Sequence, residues 1–92
     1  MPLKENKLEK YQIELARPLL LIKANKGVLG CGYLSVETFN KTGEVFALVT
    51  GVSNFDEMME SSVVSVSNAA LQLGIAVGDT GAEAISKMLK NN

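Results

Sequence analysis

The sequence predicts a single α+β domain, an antiparallel sheet of about four strands with two or three helices packed on one face. Three observations lead there. The chain has 92 residues, a length for one domain. Its first half alternates short apolar runs with turn residues. Its second half repeats apolar residues at helical spacing behind two capping signatures. The domain is assigned to residues 11–90. Residues 1–10 are set apart as a solvated tail, because the charges from Lys4 to Lys10 alternate in sign.

The first strand is read at residues 11–15, where Tyr11, Ile13 and Leu15 alternate with Gln12 and Glu14. Pro18 interrupts the pattern and suits a strand start or a sheet edge. Residues 19–24 form a more buried strand, led by Leu19-Leu20-Leu21-Ile22. Asn25-Lys26-Gly27 is a hairpin loop, with glycine placed for a left-handed conformation. Residues 28–34 then return antiparallel. Alternation puts Val28, Gly30, Gly32 and Leu34 on one face, and Leu29, Cys31 and Tyr33 on the other. A strand glycine costs about 0.5–1 kcal/mol relative to alanine. Two on one face imply close packing by a helix or subunit, a bulge, or a ligand lying on bare backbone.

Ser35 caps a short helix that Gly43 ends, with Val36 and Phe39 turned to the core. Residues 44–50 are the clearest strand, a continuous run of strand formers from Val45 to Val49. Gly51-Val52 make a tight exit. Ser53 caps a helix beginning at Asn54, with Asp56 as its acidic partner. Met59, Val63, Val66, Ala70 and Leu73 continue a helical stripe to Gly74, broken near Ser61-Ser62. A rival reading makes residues 62–66 a strand, since Val63-Val64-Ser65-Val66 is rich in β-branched residues. Ile75-Ala76-Val77 is an extended link. Thr80-Gly81-Ala82-Glu83 is a second capping box. It opens a last helix that buries Ala82, Ile85, Met88 and Leu89 and carries Lys87 and Lys90 in its final turn.

Composition excludes several function classes. Nine basic and ten acidic residues leave a net charge of −1, with no basic patch and 5% aromatics, so no nucleic-acid partner is expected. No secretory signal is visible, and the apolar run at 19–24 is too short to cross a membrane. One cysteine makes no internal disulfide, so the chain is expected in the cytoplasm. A small domain that is 47% hydrophobic is expected to complete its core as a homo-oligomer. With one cysteine, no histidine and only Asp56-Glu57 as adjacent acids, neither metal nor cofactor is expected.

Two stretches carry candidate chemistry. The Cys31 thiol needs a base or cation to ionise; histidine is absent, which leaves Arg17, Lys23 or Lys26. Its other reading is a small buried apolar residue. The turn Thr50-Gly51-Val52-Ser53-Asn54 joins a strand end to a helix start and points N–H groups at one spot, which suits a small anionic ligand. Asp56 opposes an anion there, and an ordinary capped helix explains the turn equally. The ligand-binding candidates are Gly30, Cys31, Gly32, Thr50, Gly51, Ser53 and Asp56. No catalytic constellation is visible. Three functions follow: a homo-oligomeric binding or assembly module, a small-anion binder at residues 50–54, and a thiol enzyme or redox sensor using Cys31.

Three groups of residues also resemble a known family. They are Leu20-Leu21-Ile22-Lys23-Ala24 with Gly27 and Leu29-Gly30-Cys31-Gly32-Tyr33; Ala47, Val49, Gly51-Val52, Phe55 and Met58; and Ala70, Gly74-Ile75 and Gly78. Together they resemble the YunC-like family of uncharacterised bacterial and archaeal proteins, over residues 15–89. The Cys-Gly-Tyr piece is the most specific. Glu57 departs from the pattern, standing where a second aspartate is expected beside Asp56. The resemblance implies an α+β domain and brings no activity, substrate or catalytic residue.

Overall fold

The computed structural model describes residues 8–89. The chain runs β1 (Glu9–Ile13), β2 (Leu19–Lys23), β3 (Val28–Gly30), α1 (Val36–Thr42), β4 (Phe46–Leu48), α2 (Phe55–Glu60), β5 (Ser65–Val66), α3 (Asn68–Gln72) and α4 (Gly81–Leu89). Spatial order in the sheet follows chain order from β1 to β5. The α+β class and the mostly antiparallel sheet agree with the sequence. The sheet has five strands among the described residues, and one pair, β3 with β4, is parallel. Parallel neighbours need a crossover, and α1 supplies it.

That crossover also changes where the helices lie. Val28 stands beside Phe46 and Gly30 beside Leu48, while Leu29 stands beside Ala47 on the opposite face. The Phe39 ring of α1 stacks on Phe46 with centroids 4.1 Å apart. Gly81 of α4 approaches Leu29, and α2 packs against α4. The helices therefore cover both faces of the sheet, not one. The main core lies on the Leu29 side, where Leu20, Ile22, Ala47, Met58, Ile75, Ala84, Ile85 and Met88 are buried.

The expected strand at 28–34 stops at Gly30. Leu34 N–H donates to Cys31 O at 3.1 Å, so residues 31–34 are a turn. The two glycines thus do not share one bare face. At Gly30 a Cβ would lie 2.5 Å from Leu34 Cδ1 and 2.7 Å from Phe46 Cε1, so this protein's own side chains fill that space. Gly27 has no left-handed backbone; a Cβ there would meet Val45 at 2.6 Å, and close approach is what requires glycine.

The stripe from Met59 to Leu73 is not one helix. α2 ends at Glu60 and Ser61 is extended. Val64 N–H then donates to Leu48 O at 2.8 Å, and Ser67 N–H to Phe46 O at 2.9 Å. The rival strand reading therefore holds at Ser65–Val66. The free edge of β4 takes a strand partner that local periodicity cannot show.

The remaining elements differ mainly at their ends. β1 starts at Glu9 and so draws Glu9 and Lys10 into the sheet; residues 1–7 of the expected tail, and Lys90, lie outside the described residues. Ser35 and Gly43 cap α1 as read, with Gly43 at φ 78. In the Thr80 box, Glu83 N–H donates to Thr80 Oγ1 at 3.1 Å and Thr80 N–H to Glu83 Oε1 at 2.8 Å. On α4, Gly81 is buried and Ala82 exposed, so the buried stripe runs Gly81, Ala84, Ile85 and Met88.

Two predictions follow from this packing. A Cβ on Gly81 would collide with the Met58 carbonyl oxygen, a backbone atom that cannot swing aside. Gly81→Ala is therefore expected to cost about 3 kcal/mol in denaturant unfolding, at the upper end of overpacking penalties. A loss within experimental error would contradict the close approach of α2 to α4. Separately, Lys87 Nζ donates to Asp79 Oδ2 at 2.8 Å and to Gly74 O at 2.7 Å, tying α4 to the preceding loop. The Lys87 contact, then the Ala76 N–H bond, hold the Asp79 carboxyl below its ordinary 3.8. A depressed carboxyl stabilises the fold above its unfolded value, and that stability is lost as pH falls through the folded one. The parent should thus exceed Asp79→Asn in stability at neutral pH and converge with it in acid. A gap that persists below the folded value would overturn the assignment.

Candidate functional site

Three strand ends meet at one end of the sheet. β3 and β4 are parallel, so both point their carboxyl ends there. The ladder between them continues through Val49 N–H to Gly30 O at 2.9 Å. The chain leaves β4 through Gly51, whose φ of 71 favours glycine. Antiparallel β2 begins beside them, and Arg17 N–H donates to the Tyr33 hydroxyl oxygen at 3.3 Å. The result is a cleft of ≈ 290 Å³ lined by Arg17, Pro18, Cys31, Gly32, Tyr33, Gly51 and Val52.

The sulfur of Cys31 is part of the backbone network. Leu20 and Cys31 face each other just beyond the β2–β3 ladder, and Cys31 N–H donates to Leu20 O at 3.2 Å. The reciprocal bond from Leu20 N–H would go to Cys31 O. That oxygen is turned to accept from Leu34 in the tight turn. Leu20 N–H donates to Cys31 Sγ instead, at 3.3 Å. With 3% of its surface exposed, the thiol is a buried wall of the cleft.

The two predicted stretches therefore converge. Cys31, Gly32 and Gly51 line the cleft, and Thr50 lies beside Gly32, where a Cβ would sit 3.7 Å from its Cγ2. Gly30, Ser53 and Asp56 are not part of the wall. Gly30 opens on the opposite face, toward Leu34 and Phe46. The helix cap is Asn54, not Ser53: Glu57 N–H donates to Asn54 Oδ1 at 2.8 Å. Ser53 N–H donates to Glu57 Oε1 at 2.7 Å, so the residue that departs from the family pattern closes this turn from within. α2 has six residues and two acidic side chains in its first turn, a poor seat for an anion.

Sequence reasoning missed Pro18, Tyr33 and Val52 as wall residues and weighed Arg17 only as a neighbour of the thiol. The available signal was hairpin register, which sets the residues before Leu20 opposite those after Cys31. Arg17 is the only arginine of the chain. Its guanidinium has no partner among the described residues, and no carboxylate side chain lines the cleft. Among the described residues, no group of three or more His, Cys, Asp or Glu could hold a metal ion. None of the described helices is long and apolar enough to cross a membrane.

Similar proteins cover most of this architecture. The family model described as "Domain of unknown function (DUF1805)" matches residues 30–88. That span takes in Cys31, Gly32, Tyr33, Gly51 and Val52 of the cleft. The chain is 35% identical to the uncharacterized protein YunC of Bacillus subtilis strain 168 over 83 residues, covering 85% of this chain and 82% of the relative. It is similar in fold to the crystal structure of a protein of unknown function from Thermoplasma acidophilum, with a TM-score of 0.76 and 33% identity. That match covers 96% of this chain and 99% of the other.

The backbone role of the thiol is testable. Cys31→Ala leaves a buried N–H without an acceptor, which is expected to cost about 1–3 kcal/mol. It should also raise hydrogen exchange at the Leu20 amide above that of its neighbours. Unchanged protection at Leu20 would show that the sulfur accepts nothing there.

Proposed function

This chain belongs to the DUF1805 family, and from that premise we propose that it is a non-catalytic binding module working as a homo-oligomer in the cytoplasm. The observation that supports assembly is the open face of the β1–β2 hairpin. Tyr11 stands beside Leu21 and Ile13 beside Leu19, on the face opposite the buried Leu20 and Ile22, although Leu19 also packs against the main core. Tyr11 is 48% exposed and Ile13 53%, and Leu15, just past β1, is also exposed. α1 packs at β4, two strands away. Adjacent exposed apolar side chains on a sheet mark an interaction surface.

A second copy of the chain is the occupant that fits. The face belongs to the edge strand and its neighbour, so it is accessible to an identical face through a two-fold axis. A net charge of −1 offers little repulsion between copies. Two such sheets packed face to face would bury the Tyr11, Ile13 and Leu21 side chains between them. The buried thiol and the absence of histidine favour binding over nucleophilic chemistry. A lone cysteine held in a core accords with a reducing compartment.

Native mass spectrometry at micromolar concentration is the test. The parent is expected as a dimer or higher oligomer, and Ile13→Lys, which places a charge at the centre of the face, as a monomer. A monomeric parent, or an oligomer indifferent to that substitution, would end the assembly reading.

A further inference from the structure

The geometry points to a ligand site in the cleft at the carboxyl ends of β3 and β4, one that takes a small organic monoanion, a carboxylate on a short apolar body. This stands apart from the assembly face. In open, mostly parallel α/β sheets ligands bind beyond the carboxyl ends of the strands, and this cleft has the same placement relative to its one parallel pair. Here the only parallel pair among the described strands ends at Gly30 and Leu48, and the segments that follow bring Cys31 and Gly51 to the cleft.

The wall chemistry selects the ligand. Pro18, Val52 and the buried Cys31 give apolar sides. Arg17 is the one charged residue that lines the cleft, and its guanidinium has no partner among the described residues, so it is available to a ligand there. The Tyr33 hydroxyl accepts from Arg17 N–H, which leaves its own proton to donate. The N–H groups of Gly32, Tyr33, Gly51 and Val52 donate to no protein acceptor among the described residues. A planar carboxylate matches one guanidinium as a two-bond fork, supplemented by such donors. A single cation and partly apolar walls suit a monoanion better than a phosphate, which gathers several cations or a helix N-terminus. The ≈ 290 Å³ volume lies at the lower end of ligand pockets, a size for a small acid and not for a dinucleotide.

Amide NMR titration of the full chain tests this with three probes: isovalerate, its neutral amide isovaleramide, and inorganic phosphate. Isovalerate at millimolar concentration is expected to shift the amides of Gly32, Tyr33, Gly51 and Val52 together, with the neutral amide and phosphate weaker. Arg17→Gln should lower the isovalerate affinity by about tenfold, the size of one charged hydrogen-bonded contact. Gly32→Ala should weaken binding while leaving the fold intact, because a Cβ there meets only Thr50 Cγ2 at 3.7 Å, and unchanged affinity would count against the site. The proposal is overturned if isovalerate moves no cleft amide, if Arg17→Gln binds as the parent does, or if phosphate or isovaleramide binds as well as the acid. None of these outcomes bears on the oligomeric state, so the two readings fail separately.

Discussion

Parallel pairing of Val28–Gly30 with Phe46–Leu48 places demands on the rest of the chain. The chain must leave β3, cross the sheet and re-enter in the same direction within fifteen residues, from 31 to 45. α1 and its two caps provide that path. The crossing carries Phe39 over Phe46 and so covers the face that the glycine at residue 30 leaves without a side chain. β4 is then central and needs a partner on its other side, which the segment around Ser65–Val66 supplies. Because the two parallel strands end together, the turn after β3 and the turn after β4 lie side by side. The cleft is the space between those turns.

Both ends of this short central pair are held by side-chain acceptors. At the carboxyl end, Cys31 Sγ accepts from Leu20 N–H where the strand oxygen has been diverted into a turn. At the amino end, the fully buried Ser67 Oγ accepts from Phe46 N–H at 3.0 Å and Ala70 N–H at 3.2 Å, and donates to Glu44 O at 2.8 Å. One hydroxyl therefore caps α3 and completes the β4 edge. Three-residue strands make few ladder bonds, and an unpaired buried N–H costs about 1–3 kcal/mol, a sizeable part of a small domain's stability. Short strands are tolerable here because sulfur and hydroxyl acceptors continue the network where the ladder stops.

The sequence was legible where structure is local. Ser35 and Gly43 bound a helix through contacts within a few residues, and the reciprocal Thr80–Glu83 bonds span three. The β2–β3 hairpin likewise follows from apolar runs around a short loop. It was illegible where a distant partner decides. Val63, Val66 and Ala70 recur at helical spacing, yet Val64 and Ser67 bond to a strand sixteen to twenty-one residues earlier, and those bonds prevail. Glycines divide in the same way. Gly43 announces a left-handed helix end, whereas Gly27, Gly30 and Gly81 are required by Val45, Phe46 and Met58, neighbours that no local pattern names. For the site, the sequence marked Cys31, Gly32 and Gly51 but not that they share one cleft, since a parallel register was needed to bring them together.

The open hairpin face and the cleft are joined by a single segment. Ile13 ends β1 with its side chain on the open face, and Arg17 sits at the cleft wall only four residues on. Between them the chain is anchored by the bond from Arg17 N–H to the Tyr33 hydroxyl. A short, exposed connection of this kind belongs to the low-stability end of a fold, opening more readily than the packed strands it links. The exposed apolar side chains of β1 and the one charged residue that lines the cleft thus lie on a single stretch of chain, and hairpin register alone decides that the first falls on a sheet face and the second beside the turn at Tyr33.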